Sequence, residues 1–516
     1  MKNGKHQAGR DTTAACALVL LATFSVAAPA RGQDRPARPN IVFILSDDHN
    51  HAALGIAGHP LLKTPHLDSV GREGAWFRQA FVATPLCAPS RAAFLTGLYG
   101  HTSGFRANNP PWPEKFPPSF LSVAQAAGYR TGYFGKKHIY NTDDPLPGVD
   151  RWVSFLNQGR FVNPDVNIDG ERRRLTGANG DLLTDFAADF IRENRARPFA
   201  MVVAYKEAHS QQTAPPRFDS LFENDTITLP ATFNEDKSNK PAFFRATMNM
   251  PNSGFDEPGQ GNPPPAGMTR EQLAIKKIEN YYRCIAALDD YVGRIRKALA
   301  DSGQLDNTIL VFAGDNGYFL GDHGRFEKMT PHEESVRIPF LIRYPPAIRR
   351  GTISDELVLN VDLAPTLYDL AGLKGPERID GRSLRPVLDG NGRAPEKAKW
   401  RNDIYIEWQG AEHDVARNTP GYVATPPPPP QAAPNPNANP IPTWRALRTQ
   451  THKYAVYLNG DLSELYDLKA DPKETRNLIR DPAQRRRVAE MHNRLLKLAD
   501  DGNDPLRPML PATPQK

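Results

Sequence analysis

Four short apolar segments constrain the fold of this chain most, because each one runs directly into a group of polar residues. Their apolar character predicts buried strands at residues 40–45, 130–134, 199–205 and 308–313. The polar groups that follow are Asp47-Asp48, Gly135-Lys136-Lys137-His138, Lys206-Glu207-Ala208-His209 and Gly314-Asp315-Asn316-Gly317. Ligands bind at the carboxyl ends of strands in open α/β sheets, so the four groups are predicted to converge on one site.

Helical patterns lie between these strands, at residues 118–127, 182–193 and 269–302. Strands that alternate with helices predict an α/β fold with a large mixed, mainly parallel sheet flanked by helices. The 516 residues are enough for one large domain, which we expect at 31–400, and a smaller one after it.

The segment from 401 to 516 is expected to form a small α+β C-terminal subdomain. Alternating apolar residues predict strands at 444–458 and 464–468, and an amphipathic pattern predicts a helix at 482–499. A proline-rich stretch at 410–442 favours extended chain and is interpreted as a loop insertion.

The N-terminal residues 1–30 have the pattern of a secretory signal peptide. Basic residues precede an apolar run at 14–28, and a small-residue sequence follows it. The run is shorter than the roughly 20 residues that span a bilayer, so we expect no stable membrane insertion. The chain is predicted to be secreted, either periplasmic or extracellular.

Charge and composition exclude one class of partner. The formal charge of +6 is spread along the chain, and no long basic block is interleaved with aromatic residues, so we expect no nucleic-acid partner. The mildly basic balance fits an anionic substrate, but it fits a solvated surface equally well.

Cysteine is scarce for a secreted chain. Cys16 would leave with the signal peptide, and Cys87 and Cys284 form at most one disulfide. The core rather than a disulfide framework must therefore stabilise the fold.

Cys87 opens the motif Cys-Ala-Pro-Ser-Arg, which leads into a helical pattern ending at Leu95-Thr96-Gly97. A helix N-terminus attracts anions, and Arg91 adds a positive charge. A cysteine without such a context is more often a small buried apolar residue. Residues 87–97 match the C-x-P-S-R-x-x-x-L-T-G pattern of the formylglycine-dependent sulfatases, so the chain resembles this family of the alkaline phosphatase superfamily.

The resemblance extends over most of the mature chain and implies a function. It includes the opening strand with its Asp pair, the Gly-Lys-x-His element at 135–138, the loop at 328–339 and the segment 464–477. It implies that a maturation enzyme converts Cys87 to 3-oxoalanine (formylglycine), and that residues 31–400 form the catalytic domain. The chain looks like a bacterial secreted sulfatase that acts on sulfated glycans or small sulfated molecules and releases inorganic sulfate.

The resemblance also implies a metal site. Its ligands would be residue 87 itself and the oxygen-bearing side chains Asp47, Asp48, Asp315 and Asn316. Hard oxygen ligands suit Ca²⁺, with Mg²⁺ as the alternative. Taken without the resemblance, each pair also fits a simple turn or helix cap.

Five further residues receive roles from the family pattern. Arg91 would stabilise the covalent centre, and Lys136 and Lys328 would neutralise the sulfonate oxygens. His138 would deprotonate the second hydroxyl of the hydrated aldehyde, and His209 would protonate or polarise the leaving-group oxygen.

The sequence departs from the family pattern near Lys328. Glu334-Ser335 stands where the family has Gly-Gly, and His332 replaces an aromatic residue. Lys137 receives no role. Spacing alone leaves open whether three neighbours of the motifs line the pocket, namely His101, Lys206 and His323.

Two other functions stay open on sequence alone. A phosphonate monoester or phosphodiester hydrolase of the same superfamily shares the fold and sometimes the converted cysteine. A non-catalytic glycan-binding relative would have lost catalytic residues, whereas all of those named above are present.

Overall fold

The computed structural model describes residues 38–109, 112–246, 267–396, 400–410 and 441–514. The predicted signal peptide and nearly all of the proline-rich loop lie outside the described residues.

The described residues contain sixteen strands. They are β1 (Asn40–Ser46), β2 (Ala75–Phe77), β3 (Ala80–Phe81), β4 (Arg130–Lys136), β5 (Arg151–Phe155), β6 (Asp165–Ile168), β7 (Glu171–Arg174), β8 (Phe199–Ala204), β9 (Thr308–Gly314), β10 (Phe340–Arg343), β11 (Thr352–Ser354), β12 (Val358–Leu359), β13 (Asp403–Trp408), β14 (Trp444–Thr449), β15 (His452–Tyr457) and β16 (Glu464–Asp467).

The same residues contain eleven α-helices. They are α1 (Pro65–Arg72), α2 (Cys87–Thr96), α3 (Gly100–Ser103), α4 (Phe120–Ala126), α5 (Asn179–Glu193), α6 (Ala242–Ala246), α7 (Arg270–Asp301), α8 (Glu333–Val336), α9 (Leu363–Ala371), α10 (Arg385–Asp389) and α11 (Arg485–Asp501).

Ten strands form one large sheet, in the order β11-β2-β10-β9-β1-β8-β4-β5-β6-β7. The five strands from β9 to β5 run parallel to one another, and antiparallel pairs occur toward both edges. The fold is therefore α/β with a mixed, mainly parallel sheet, as predicted. The four predicted strands lie side by side as β9, β1, β8 and β4.

The central strand β1 is apolar throughout because both of its faces are covered. Ile41 and Phe43 pack on the side of α2, α4 and α9. Val42 and Ile44 pack on the opposite side, against α5 and α7. Parallel strands buried on both faces show this continuous apolar run instead of alternation.

The C-terminal sheet is antiparallel, with β13, β14, β15 and β16 in sequence order. One side packs on α11, which buries Met491 and Leu495. The other side meets the large sheet's loops, where Trp444 Nε1 donates to the carbonyl of Met329 at 2.9 Å. The predicted small α+β unit is present, although its helix begins at Arg485, after a short 3₁₀ turn.

Candidate active site

The four polar groups meet because their strands are neighbours in the sheet. The backbone N–H of Asp47 donates to the carbonyl of Glu207 at 2.9 Å, and that of Asp315 donates to Ser46 at 2.9 Å. The backbone N–H of Asp48 donates to the Asp315 carboxylate at 3.0 Å. The predicted convergence at the carboxyl ends of the strands is confirmed.

Cys87 is the first residue of α2, and every residue of that helix is buried. Its Sγ lies 3.1 Å from Lys328 Nζ, 3.6 Å from Lys136 Nζ and 3.7 Å from Asp47 Oδ1. Burial raises the pKa of the thiol, while the two ammonium groups oppose that rise. A nucleophile at residue 87 would therefore lie beside two ammonium groups and one carboxylate.

Arg91 lies one turn along α2 from Cys87 and ties the helix to the strand ends. Its Nε donates to Asp315 Oδ2 at 2.9 Å, and a terminal nitrogen donates to the carbonyl of Lys136 at 2.6 Å. Burial opposes its charge, yet the carboxylates of Asp315 and Asp47 raise its pKa. The guanidinium stays charged and fixes the acidic group beside residue 87.

Three carboxylates crowd together beside the thiol. Oxygen atoms of Asp47, Asp48 and Asp315 all lie within 4.8 Å of one another, and all three side chains are buried. Burial and the nearby Asp47 charge raise the pKa of Asp315 to about 6. Burial acts in the same direction on Asp47, but Lys136 and other cations hold the pKa of Asp47 well below its usual value.

Asn316 completes this oxygen cluster. Its Nδ2 donates to Asp48 Oδ1 at 2.7 Å, whereas its buried Oδ1 has no hydrogen-bond partner among the described residues. An orphaned buried acceptor beside three carboxylates is costly, and a cation bound there would relieve that cost. The donor set is all oxygen, which fits Ca²⁺ or Mg²⁺.

Both predicted lysines are in the cluster. Lys136, the last residue of β4, pairs with Asp47, and Lys328 pairs with Asp48. Both are buried. Burial lowers the pKa of Lys328, but Asp48 and the other acidic groups raise it overall, so the ammonium is charged.

The two histidines differ in how close they lie to residue 87. A ring nitrogen of His209, an oxygen of Asp47 and the Cys87 sulfur all lie within 4.8 Å of one another. His138 contacts Gln158 at 3.4 Å and, among the described side chains, has no direct hydrogen bond to Cys87. Burial, with the nearby Lys136 charge, lowers the pKa of both rings well below 6.5, so both are neutral.

The sequence left open whether His101 and His323 line the pocket, and in the structure both contact residues outside the four polar groups. His101 contacts Glu407 at 2.8 Å, in the C-terminal sheet. His323 contacts Glu235 at 2.5 Å.

Glu334, which departs from the family pattern, forms an ion pair with Lys473 at 3.2 Å. The backbone carbonyl of Glu334 lies 2.2 Å from the place that a Cβ on Gly317 would occupy, so position 317 accepts only glycine.

Sequence reasoning missed Tyr281 on α7. Its hydroxyl donates to the carbonyl of Asp48 at 2.7 Å and accepts from the backbone N–H of Asn50 at 2.9 Å. This tyrosine fixes the turn in which Asp48 adopts a positive φ of 55°. It is 233 positions away from Asp48, and no local pattern marks it.

Comparisons with known proteins show the family of the chain. A family model described as Sulfatase matches residues 39–373. An N-acetylglucosamine-6-O-sulfatase of Bacteroides thetaiotaomicron is 31% identical, over 90% of this chain and 86% of its own length. The human N-acetylglucosamine-6-sulfatase is 29% identical, over 93% of this chain and 86% of its own length.

Solved structures show the same likeness. One, described as a complex with its substrate D-glucosamine-2-N,6-O-disulfate, has a TM-score of 0.75 and 28% identity over 91% of this chain and 99% of that one. A phosphonate monoester hydrolase of Agrobacterium radiobacter has a TM-score of 0.70 at 24% identity over 90% of this chain and 96% of its own, which shows the shared fold alone.

The matched residues 39–373 include all of the site residues described above. Curated relatives that align with most of the chain carry sulfatase names. This chain therefore belongs to the sulfatase family and is a sulfuric ester hydrolase.

Proposed function

We propose that the chain hydrolyses sulfate esters on sulfated glycans, with the 6-O-sulfate of a glucosamine-type sugar as its substrate. Support comes from the names of the relatives, two of which act on N-acetylglucosamine 6-sulfate. The observation that carries the proposal is the position of Cys87 Sγ between Lys136, Lys328 and Asp47, all within 4 Å.

Cys87 is proposed to be converted to formylglycine by a maturation enzyme. A hydrated aldehyde at this position would supply two hydroxyls on one carbon, one to attack sulfur and one to expel the sulfate. Lys136 and Lys328 bind the sulfonate oxygens, where negative charge is held in a site largely closed to water. Arg91 orients residue 87 through its hold on Asp315.

The metal is proposed to be Ca²⁺, with Mg²⁺ as the alternative. Asp47, Asp48, Asp315, Asn316 and residue 87 would hold it, and the unpartnered Oδ1 of Asn316 supports this set. Bound there, the ion would lower the pKa of a coordinated hydroxyl and neutralise sulfate charge. Ca²⁺ tolerates the irregular geometry of five oxygen ligands better than Mg²⁺, which demands a near-ideal octahedron.

His138 is assigned as the proton acceptor, and His209 is assigned to polarise the leaving-group oxygen with a hydrogen bond from its neutral ring. His209 lies beside Asp48 and near residue 87, where it meets the leaving-group oxygen. His138 is proposed to accept a proton from the second hydroxyl, and its orphaned Nδ1 is free of partners among the described residues. Positioned imidazoles commonly fill such roles near neutral pH.

The site residues above are proposed to work within a catalytic domain at 31–400, with residues 401–516 as the C-terminal subdomain. Residues 1–30 are proposed to be a signal peptide that directs secretion. Among the described residues, no helix has the length and apolar character needed to cross a membrane.

Two measurements on one preparation test the proposal. The protein, made in a host that contains the maturation enzyme, is assayed for sulfate release from N-acetylglucosamine 6-sulfate and from an aryl phosphate. The peptide that contains residue 87 is then weighed, and conversion to the aldehyde lowers its mass by about 18 Da. We expect sulfate release, little phosphate release and the lighter peptide.

Cys284→Ala is the matched control, because Cys284 is equally buried but lies on α7. It should retain both the modification at residue 87 and the activity, whereas Cys87→Ala should lose both. An active protein whose residue 87 remains a thiol would overturn the mechanism. Preferential turnover of the phosphate ester would overturn the substrate class.

A further inference from the structure

Lys206 is a buried lysine that the scheme above does not use. It follows β8, and only 2% of its surface is exposed. In the part of the chain that the structure describes, its ammonium has no ion pair and no hydrogen bond. Its aromatic contact is the ring of Phe161, 4.7 Å away.

The two catalytic lysines differ from Lys206 in this respect. Lys136 pairs with Asp47 and Lys328 pairs with Asp48. Burial and the charge of Lys136 lower the pKa of Lys206 to about 8, which still leaves it protonated at neutral pH. No carboxylate of the described residues lies within ion-pair distance of the Lys206 ammonium, although Asp47, Glu207 and Asp48 attract it from farther away. Because a buried cation without a direct partner is costly, a fold that keeps one is expected to bring an anion to it during function.

The surroundings of Lys206 place it near the two histidines of the proposed active site. The backbone N–H of His209 donates to the carbonyl of Lys206 at 2.8 Å, so one turn carries both side chains. Phe161 belongs to the loop that also carries Gln158, whose amide contacts His138 at 3.4 Å. The ammonium thus lies between two segments that each position a histidine of the active site.

We infer that Lys206 forms an anion subsite, which binds a second negatively charged group of the substrate, a sulfate or a carboxylate. The inference rests on the proposed function. The sulfate that is cleaved already meets Lys136 and Lys328 beside residue 87. A second anion on the same or the adjoining sugar would give Lys206 a charge-assisted hydrogen bond, and Phe161 would keep water away from that pair.

Three substrates and three variants test the subsite. N-acetylglucosamine 6-sulfate carries one anion, glucosamine-2-N,6-O-disulfate carries two on one sugar, and a disaccharide of N-acetylglucosamine 6-sulfate with a uronic acid carries its second anion on the neighbour. Lys206→Met should lower kcat/KM about tenfold to a hundredfold for a doubly charged substrate and less than about twofold for the singly charged one. Lys206→Arg should keep the preference.

If Lys206→Met lowers kcat/KM for only one of the two doubly charged substrates, that substrate shows whether Lys206 binds the 2-N-sulfate or the carboxylate of the uronic acid. Lys137→Met is the control, because Lys137 is equally buried but donates to the carbonyl of Asp144 at 2.8 Å. It should lower the melting temperature without changing the preference. Lys206→Met gives up only the contact of the ammonium with the Phe161 ring in the free protein and keeps an apolar side chain beside that ring, so its melting temperature should stay close to that of the wild type.

Product binding separates this inference from the proposed function, because it needs no turnover. Glucosamine-2-N-sulfate and the desulfated disaccharide are titrated into the wild type and Lys206→Met. Tighter binding of either anionic product to the wild type supports the subsite even if no sulfate is released. Equal binding of both products, or an equal loss of kcat/KM for all three substrates, would overturn it.

Discussion

Two buried charge networks in this molecule contain similar residues but differ in how well they are satisfied. The catalytic cluster consists of Asp47, Asp48, Asp315, Arg91, Lys136 and Lys328. The subdomain cluster consists of His101, Glu407, Arg445 and Asp504, and joins α3 to the C-terminal sheet.

In the subdomain cluster, each charged group faces an opposite charge. Arg445 holds Asp504 with two nitrogens, and His101 bridges Glu407 and the carbonyl of Gly502 at 2.8 and 3.0 Å. In the catalytic cluster, three carboxylates face one another, and Asn316 Oδ1 has no hydrogen-bond partner in the described part of the chain. The first network is therefore satisfied by the protein alone, whereas the second has the excess of oxygen ligands that supports the proposed metal.

The largest effect is expected at residue 87. Cys87→Ser keeps one hydroxyl but cannot provide two on one carbon, so steady-state sulfate release should fall by more than about a thousandfold. Stopped assays that compare the sulfate released with the amount of enzyme provide the measurement. Release of many sulfate molecules per molecule of this variant would contradict the mechanism that needs two hydroxyls.

The next largest effect should be on stability, in the subdomain cluster. Arg445→Met leaves the carboxylate of Asp504 buried without its cation, while Glu407 keeps His101, and the change should cost about 3–5 kcal/mol of unfolding free energy. Urea unfolding measures the loss, and kcat of the folded fraction should stay unchanged. A stable variant with reduced kcat would show that the cluster takes part in catalysis.

A smaller effect is expected from Asp315→Ala, which removes one oxygen ligand. Calcium should half-saturate activity at a concentration about a hundredfold higher, since each lost ligand weakens a hard-cation site. The titration is run on chelator-treated protein, with Asp306→Ala as a control at an exposed aspartate. An unchanged titration would remove Asp315 from the ligand set.

The smallest effect should be the pH dependence of the subdomain cluster. Burial acts against the charge of His101, but Glu407 and Asp504 raise its pKa from 6.5 to about 9. The raised pKa adds stability that is fully present below pH 6.5 and is lost as the pH rises through 9, on the order of 1–3 kcal/mol.

Urea unfolding of the wild type and His101→Gln between pH 6 and 10 measures this contribution. Glu407, Asp504 and the rings of Tyr99 and Tyr405 face the imidazole, and Arg445 neighbours them. The difference between the two proteins should shrink across this range. A difference that grows with pH would contradict the assignment of a protonated His101.

The strand predictions succeeded where burial decides the pattern. The segment 40–45 is apolar because both faces of β1 are covered, and each strand ended within two residues of its prediction. The sheet order at the edges could not be predicted, since β2, β10 and β11 are short and their pairing depends on loops.

The site was predictable only where its residues follow strands or form the motif. Tyr281 was not predicted because a tyrosine in a helical pattern is normally taken for a core residue. Only the structure shows that its hydroxyl donates to the carbonyl of Asp48. Lys206 lies close to His209 in the sequence, but the lack of a direct ion pair at its ammonium, among the described residues, is a property of three-dimensional packing.

The complete burial of Cys87 in α2 also limits when the proposed conversion to formylglycine could take place. An enzyme that oxidises this thiol must take it into its own active site, and the folded chain exposes none of it. The proposed modification would then have to come first, on the unfolded polypeptide, and folding second. A molecule that folded first would be stable but permanently inactive. The yield of active enzyme would therefore depend on the relative rates of modification and folding.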